Sequence, residues 1–339
     1  MEKLISIIIP TYNMEAYILK ALESLVIRRN LDALDVLVIN DGSKDRSSEL
    51  AHSFADKYPQ SFRVIDKENG NYGSCINEGL RHAVGKYVKV LDADDWFDTE
   101  NFDQMVEMLK HVDVDLVVSH FAKVDASGHV GDVRDLHIPS GQTLDMDTLS
   151  RKRSVQGLWM HEIAYRRENV IRMGYHQEEG ISYTDVQWGF SPMAMVKTVY
   201  FTGLLVYYYR VGREGQSMDV NVYRRQFAQE FRCTSAMLAD FVGMKAVSLA
   251  VEQMMADKMR GRIIALYKRA LVDMDDRHNE AMIAFDELLK AKSPALYKAV
   301  GCRLLSVPLF CYPYIGAWRK NRDGRLLQLV LRLYRRYKR

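Results

Sequence analysis

The feature that most constrains this 339-residue chain is an alternation of two periodicities over its first 120 residues. Leu4–Ile9 is an unbroken apolar, β-branched run stopped by Pro10, and Val36–Ile39, Phe62–Ile65, Tyr87–Leu91 and Leu116–Ser119 repeat the pattern. Runs of this kind suit strands covered on both faces. Between them Ala16–Ile27, Ser47–Tyr58, Ser74–Val84 and Asn101–His111 carry apolar residues at helical spacing. Strand–helix alternation predicts an α/β fold, a mostly parallel sheet with helices on both faces. Ligands of such sheets sit beyond the carboxyl ends of the strands.

Polar clusters fall at those ends: Thr11-Tyr12-Asn13 after the first strand, Asp41-Gly42-Ser43 after the second, Asp92-Ala93-Asp94-Asp95 after the fourth. Three carboxylates within four residues repel one another unless a cation is near. Oxygen-only donors suit Mn²⁺ or Mg²⁺, ions that usually bind through one or two carboxylates plus the phosphates of a substrate. An acidic loop capping the next helix would explain the carboxylates alone, but not three clusters at one sheet edge. The expectation is a metal–diphosphate site.

Residues 121–218 are mixed and rich in aromatics, among them Trp159, Tyr183, Trp188 and Tyr207-Tyr208-Tyr209; the pattern is helical from about 219 to 290. The expected organisation is an α/β part over 1–120, a mixed, aromatic-rich part over 121–218, and a helical region over 219–339. Four scattered cysteines form no CxxC motif, which points to a reducing compartment. With no apolar run of about 20 residues and no secretory leader, the expectation is a soluble or peripheral protein.

The motifs resemble those of the inverting family-two glycosyltransferases of the nucleotide-diphospho-sugar transferase (GT-A) fold. The resemblance rests on Ile7-Ile8-Ile9-Pro10-Thr11-Tyr12-Asn13-Met14-Glu15, Val38-Ile39-Asn40-Asp41-Gly42-Ser43, Glu68-Asn69-Gly70-Asn71-Tyr72-Gly73-Ser74 and Leu91-Asp92-Ala93-Asp94-Asp95-Trp96, in that order. It implies a Rossmann-like sheet with a C-terminal helical appendage. It also implies that Pro10, Thr11, Tyr12 and Glu15 line a nucleoside pocket and that Asp41 accepts from a uracil N3–H. Asn71 and Gly73 would run past the diphosphate or sugar. Asp92, with Ala93 beside it, would take the ribose hydroxyls, Asp94 the metal, and Asp95 either the donor sugar or a place behind the metal.

A weaker match continues through Gly180-Ile181-Ser182-Tyr183-Thr184-Asp185 to Tyr208-Tyr209-Arg210. By resemblance Asp185 is the general base that takes the proton of an acceptor hydroxyl. Three departures stand out. Asn40 replaces an acid; Thr184 replaces the glutamate before the base, with Glu178 and Glu179 near enough to substitute. No histidine occurs in Val211–Met218, where Arg210 and Arg213 could hold the diphosphate instead. His161 is a candidate for the acceptor side. The implied function is transfer of a sugar from a nucleotide-diphosphate donor, UDP-linked, to a glycan or lipid-linked glycan of a bacterial surface polysaccharide. An inactive glycan- or membrane-binding scaffold of the same fold is the alternative. Nucleotidylyl transfer would call for a glycine-rich loop after the first strand, which Pro10-Thr11-Tyr12-Asn13 is not.

The net charge of +3 divides unevenly: residues 318–339 carry +8 and the rest −5. From Arg325 onward Arg325, Gln328, Arg332, Arg335, Arg336 and Arg339 recur at helical steps among leucines. Arginine alternating with leucine, and not with stacking aromatics, argues against nucleic acid. A basic amphipathic helix suits an anionic membrane surface, and the alternative is a helix packed on its own domain. The expected location is cytoplasmic, on the inner face of the membrane.

Overall fold

A computed structural model describes residues 2–212, 220–307 and 310–337. The strands are β1 (Ile5–Thr11), β2 (Leu34–Asn40), β3 (Phe62–Asp66), β4 (Tyr87–Val90), β5 (Trp96–Phe97), β6 (Leu116–Val124), β7 (Thr143–Asp145), β8 (Ile163–Arg166) and β9 (Thr198–Arg210), with β10 (Leu305–Val307) and β11 (Phe310–Tyr312) near the end. Helices α1 (Ile18–Glu23), α2 (Ser47–Ala55), α3 (Asn71–His82) and α4 (Thr99–Leu109) alternate with the first strands. Four short helices follow: α5 (Met146–Leu149), α6 (Arg153–Gln156), α7 (Arg167–Arg172) and α8 (Asp185–Trp188). Then come α9 (Val220–Gly243), α10 (Leu249–Lys268), α11 (Glu280–Lys292), α12 (Pro294–Gly301), α13 (Tyr314–Lys320) and α14 (Arg325–Tyr337).

The chain divides into two compact units, Met1–Gln216 with Ala246–Glu252, and Ser217–Lys245 with Gln253–Arg339. The first is built on one sheet of order β3-β2-β1-β4-β8-β6-β9-β5, with β7 also on β9. β1 to β4 are mutually parallel, and so are β6 and β9. The α/β sheet is therefore as expected, with β5, β7 and β8 adding antiparallel pairs that the short runs did not announce. Both faces of β1 and β2 are buried, which is why their sequences read as continuous apolar runs.

β1 runs two residues past the expected stop. β4 leaves its flank after the Ile8–Val90 pair, whereas β2 stays to Thr11–Asn40. Thr11 C=O faces β2 and accepts from Asp41 N; Pro10 thus points its missing donor to the vacated side. α1 is shorter than its pattern because Ser24 turns the chain: its Oγ donates to Ala21 C=O and accepts from Phe97 N.

In the second unit Phe231, Tyr267, Phe285 and Trp318 form a ring cluster. Asp286 Oδ1 joins it to α13 by accepting from the Tyr267 hydroxyl (2.5 Å) and Arg319 Nε (2.9 Å). α14 packs on β10 and on the turn Arg269–Asp273, burying Leu327, Val330 and Leu331. Arg335 pairs with Asp275.

Candidate active site

The loops after β1 and β2 are laced together by short side chains. Asn13, in the left-handed region (φ +53°), accepts from Lys44 N through Oδ1, and its own N–H donates to Ser43 Oγ. Glu15 N donates to Asp45 Oδ2, and Glu15 Oε2 accepts from Arg46 N. Thr11 is buried between them, and the Tyr12 ring lies open to solvent. Asp41 is 2% exposed; its Oδ1 accepts from Lys67 Nζ (2.6 Å) and Gly70 N (2.9 Å), so a cation and a backbone donor fix this carboxylate. The substitution at Asn40 has a local cause. Its Nδ2 donates to Asp66 Oδ1 (2.7 Å), where an aspartate would face a second carboxylate.

α3 begins at Asn71 with φ +66°. The Tyr72 hydroxyl donates to Asp92 Oδ1 (2.9 Å). A Cβ on Gly73 would lie 1.9 Å from Glu178 C=O, so the glycine is demanded by the segment that leads to Asp185. Asn77 clamps that segment. Its Oδ1 accepts from Gln177 N, and its Nδ2 donates to Gln177 C=O and Glu179 Oε1. Thr184 is wholly buried, and Gln177 Nε2 donates to both its C=O and its Oγ1 (3.0 Å each). Gln187 closes the loop by donating to His176 C=O and accepting from Glu178 N. Asp185, the first residue of α8, leaves this framework half-buried.

The turn after β4 is held from β9. The Tyr207 hydroxyl donates to Asp95 Oδ2 (2.7 Å) and accepts from Asp92 N; Arg210 N donates to Asp95 Oδ1 (2.7 Å). Arg210 Nε donates to Asp94 C=O (2.9 Å), and its guanidinium lies between the Tyr17 and Trp96 rings, 5.0 Å from each centre. Burial, then the charges of Asp94 and Asp92, push Asp95 well above the ordinary carboxyl range. Burial and then the carboxylates of Asp92 and Asp185 push Tyr72 up; burial and then Asp95, Asp92, Asp94 and Asp185 do the same to Tyr209. Asp185 therefore acts with Asp92 and Asp95 on Tyr72, and with all three acids of the β4 turn on Tyr209.

His161 completes the cluster. It is 5% exposed, stacked on Phe121 (5.1 Å) and Tyr209 (4.6 Å). Burial, helped by Lys89 and Lys123, lowers its pKa to about 3, so the ring is neutral at ordinary pH. Asp92, Asp95 and His161 bring one donor atom each to within 4.8 Å of one another. Two carboxylates and a neutral imidazole fit Mn²⁺, and crowded buried acids are what a cation would relieve.

The sequence model of glycosyl transferase family 2 matches residues 6–174. EpsJ of Bacillus subtilis (strain 168), an uncharacterized glycosyltransferase, is 36% identical over 123 residues, 36% of this chain and 35% of that protein. Residues 6–174 belong to glycosyl transferase family 2. The aligned part spans about a third of the length of the curated relatives matched first (35%, 33% and 39%). The S. aureus TarS 1–349 structure in complex with UDP-GlcNAc superposes with a TM-score of 0.73 at 17% identity, covering 99% of this chain and 91% of that one. A Pyrobaculum calidifontis mannosyltransferase, PcManGT, in complex with GDP-Man and Mn²⁺, gives 0.50 at 16% identity, covering 100% and 88%. The fold is thus the expected GT-A fold.

Pro10, Thr11, Tyr12, Glu15 and Asp41 lie at the β1 and β2 ends; Asn71 and Gly73 open α3; Asp92, Ala93, Asp94, Asp95 and Arg210 gather at the β4 turn. Arg213 falls outside the described residues. Three contributors escaped motif reading. Lys67, which braces Asp41, is one charge among many in its stretch. Gln177, which carries Thr184, is one uncharged amide in an acidic loop. Lys89 did leave a signal, a lysine inside the apolar strand Tyr87-Val88-Lys89-Val90. It is wholly buried, donates to His161 C=O (2.6 Å) and Ile163 C=O (3.3 Å), and has its pKa lowered by burial to about 7.

Proposed function

We propose that the protein is a metal-dependent, inverting glycosyltransferase that moves a sugar from a UDP-type donor to a hydroxyl of a glycan or lipid-linked glycan during assembly of a bacterial surface polysaccharide. The observation that carries the reading is that Asp92, Asp94, Asp95 and Asp185 all act on Tyr209, and three of them on Tyr72, at the carboxyl edge of the sheet. In this reading residues 1–120 serve the donor, 121–218 the acceptor and base, and 219–339 location.

Asp41, held by Lys67 and Gly70 N, accepts from the base, and Tyr12 stacks on it beside Pro10, Thr11 and Glu15. Asp92 takes the ribose hydroxyls, while Asn71, Gly73, Ala93 and Arg210 border the diphosphate and sugar. Asp94 would hold Mn²⁺ or Mg²⁺, with the converging donors of Asp92, Asp95 and His161 as further candidates, and the ion would neutralise charge developing on a departing diphosphate. Asp185 removes the acceptor proton as the acceptor oxygen bonds to the anomeric carbon and the sugar–phosphate bond breaks. One displacement inverts that carbon, so an α-linked donor yields a β-linked product. Incubation with a panel of nucleotide-sugars tests this. Nucleoside diphosphate should appear only with Mn²⁺ or Mg²⁺ present, and its absence for every donor would favour the inactive-scaffold alternative.

The membrane part of the reading is supported by α14. With Leu327, Val330 and Leu331 turned inward, Leu326, Leu329 and Tyr337 remain exposed at 53%, 52% and 66%. Leu333 lies in register with them, and Arg325, Arg332 and Arg336 are exposed alongside. An outward leucine stripe flanked by arginines suits an anionic leaflet at the cytoplasmic face, at about 1 kcal/mol per basic residue. Arg339 lies outside the described residues, and among the described residues no helix is long and apolar enough to cross a membrane.

A further inference from the structure

One large aromatic next to His161 keeps much of its surface open. Trp188 and Trp318 are 1% exposed, whereas Trp159 is 44% exposed. Its surroundings nevertheless fix it. Trp159 N donates to Glu162 Oε2 (2.8 Å), and Glu162, itself 1% exposed, accepts from Arg134 Nη2 at both carboxylate oxygens (2.8 and 2.7 Å). Phe121 stacks on the indole at 5.6 Å. A half-buried ion pair and a ring thus hold an open aromatic surface still, which lowers the ordering cost of whatever lies on it.

Its place in the sheet says which substrate it meets. The acids of the β4 turn sit mid-sheet; Tyr12 and Asp41 lie on the β1–β2 side, Trp159 on the β8–β6 side. The indole is 6.0 Å from the His161 ring, which shares the Asp92–Asp95 cluster. Lys123 Nζ lies 5.4 Å from the centre of the indole. Lys123 is exposed, and among the described residues no carboxylate is within ion-pair distance of it.

We propose that Trp159 and Lys123 form an acceptor subsite for an anionic pyranose, the sugar's C–H face lying on the indole and its carboxylate or phosphate at the ammonium. The proposal rests on the glycosyl-transfer reading above and adds the acceptor's chemical class. An aromatic surface takes up the apolar face of a sugar ring, and a lysine supplies a point charge to the anion.

The test uses the full chain with saturating UDP and Mn²⁺ occupying the donor side. Methyl glucoside, methyl glucuronide and methyl glucoside 6-phosphate are titrated and followed by calorimetry or saturation-transfer NMR. Both anionic probes should bind about tenfold tighter than the neutral one. Lys123→Met should erase that difference, Trp159→Ala should weaken all three about tenfold, and Trp159→Phe should keep most of the binding. A preference for phosphate over carboxylate, or the reverse, names the source of the anion. Unchanged binding in Trp159→Ala, an intact anionic preference in Lys123→Met, or no probe bound by the wild-type chain would each overturn the subsite. Metal-dependent nucleotide release by the wild-type chain is scored separately. Its absence would sink the glycosyl-transfer reading whatever the pyranosides do.

Discussion

The β1–β4 edge and the segment from Trp159 to Trp188 position their parts of the candidate site by different means. At the first, strand ends and tight loops aim the groups, and the residues that do so are glycines, prolines and acids in short motifs. At the second, buried amides and an unusual lysine tie an irregular chain together by donating to Thr184 Oγ1, His176 C=O and His161 C=O from Gln177, Gln187 and Lys89. Backbone geometry restricts residue type and leaves motifs; a hydrogen-bond network can be built from many residue pairs and leaves few. Losses should therefore be catalytic where one charge acts, and conformational where the network acts.

The largest effect is expected at Asp185, the proposed base. Asp185→Asn should cut nucleotide release with acceptor by about 10²–10⁴-fold while UDP-sugar affinity, read by calorimetry, stays within a factor of two or so. Loss of affinity with the rate kept would move Asp185 to the donor side and bring Glu178 and Glu179 forward.

Gly73→Ala should injure both regions at once, because the new methyl meets the Glu178 carbonyl. Lower thermal stability, by on the order of 1–3 kcal/mol, is expected together with weaker UDP binding and slower release. A variant with full stability and activity would show that α3 does not register the two regions.

Lys89 sharpens the comparison through pH. Burial lowers its pKa from 10.5 to about 7, so between those values the unfolded chain binds more protons than the folded one. Stability from this group therefore rises as pH goes from about 7 toward 10.5, and the burial penalty is full below 7. The melting temperature of wild type minus that of Lys89→Met should climb between pH 7 and 9. A flat difference would mean that Lys89 keeps its proton in the fold.

The smallest effect belongs to α14. Deleting residues 319–339 would remove the buried Leu327, Val330 and Leu331 and the Arg319–Asp286 pair, and so unfold the second unit rather than probe a surface. Leu326→Ser with Leu329→Ser leaves that packing alone and should lower binding to anionic vesicles several-fold with the melting temperature kept. Unchanged sedimentation with vesicles would remove the membrane claim.

Much of the fold was legible because both faces of β1 and β2 are buried and their runs are unmistakable. β5 and β8 were not, since two and four residues carry too little period to read. At the site, the β4 acids announced themselves by crowding. The neutral state of His161 and the bracing of Asp41 by Lys67 depend on burial and long-range pairing, which one-dimensional spacing does not encode. The tail illustrates the same limit: its leucines read as one apolar face, yet folding splits them into a packed row and an open one.

The central claim is that the β4 carboxylates make this sheet edge a metal-dependent nucleotide-sugar site. Calorimetric titration of UDP, with and without Mn²⁺, into wild type and Asp94→Asn tests it most directly. Mn²⁺ should tighten UDP binding to wild type by at least about tenfold and leave Asp94→Asn unchanged. Equal enhancement in both proteins would contradict the assignment of Asp94, and no enhancement in wild type would contradict metal dependence itself.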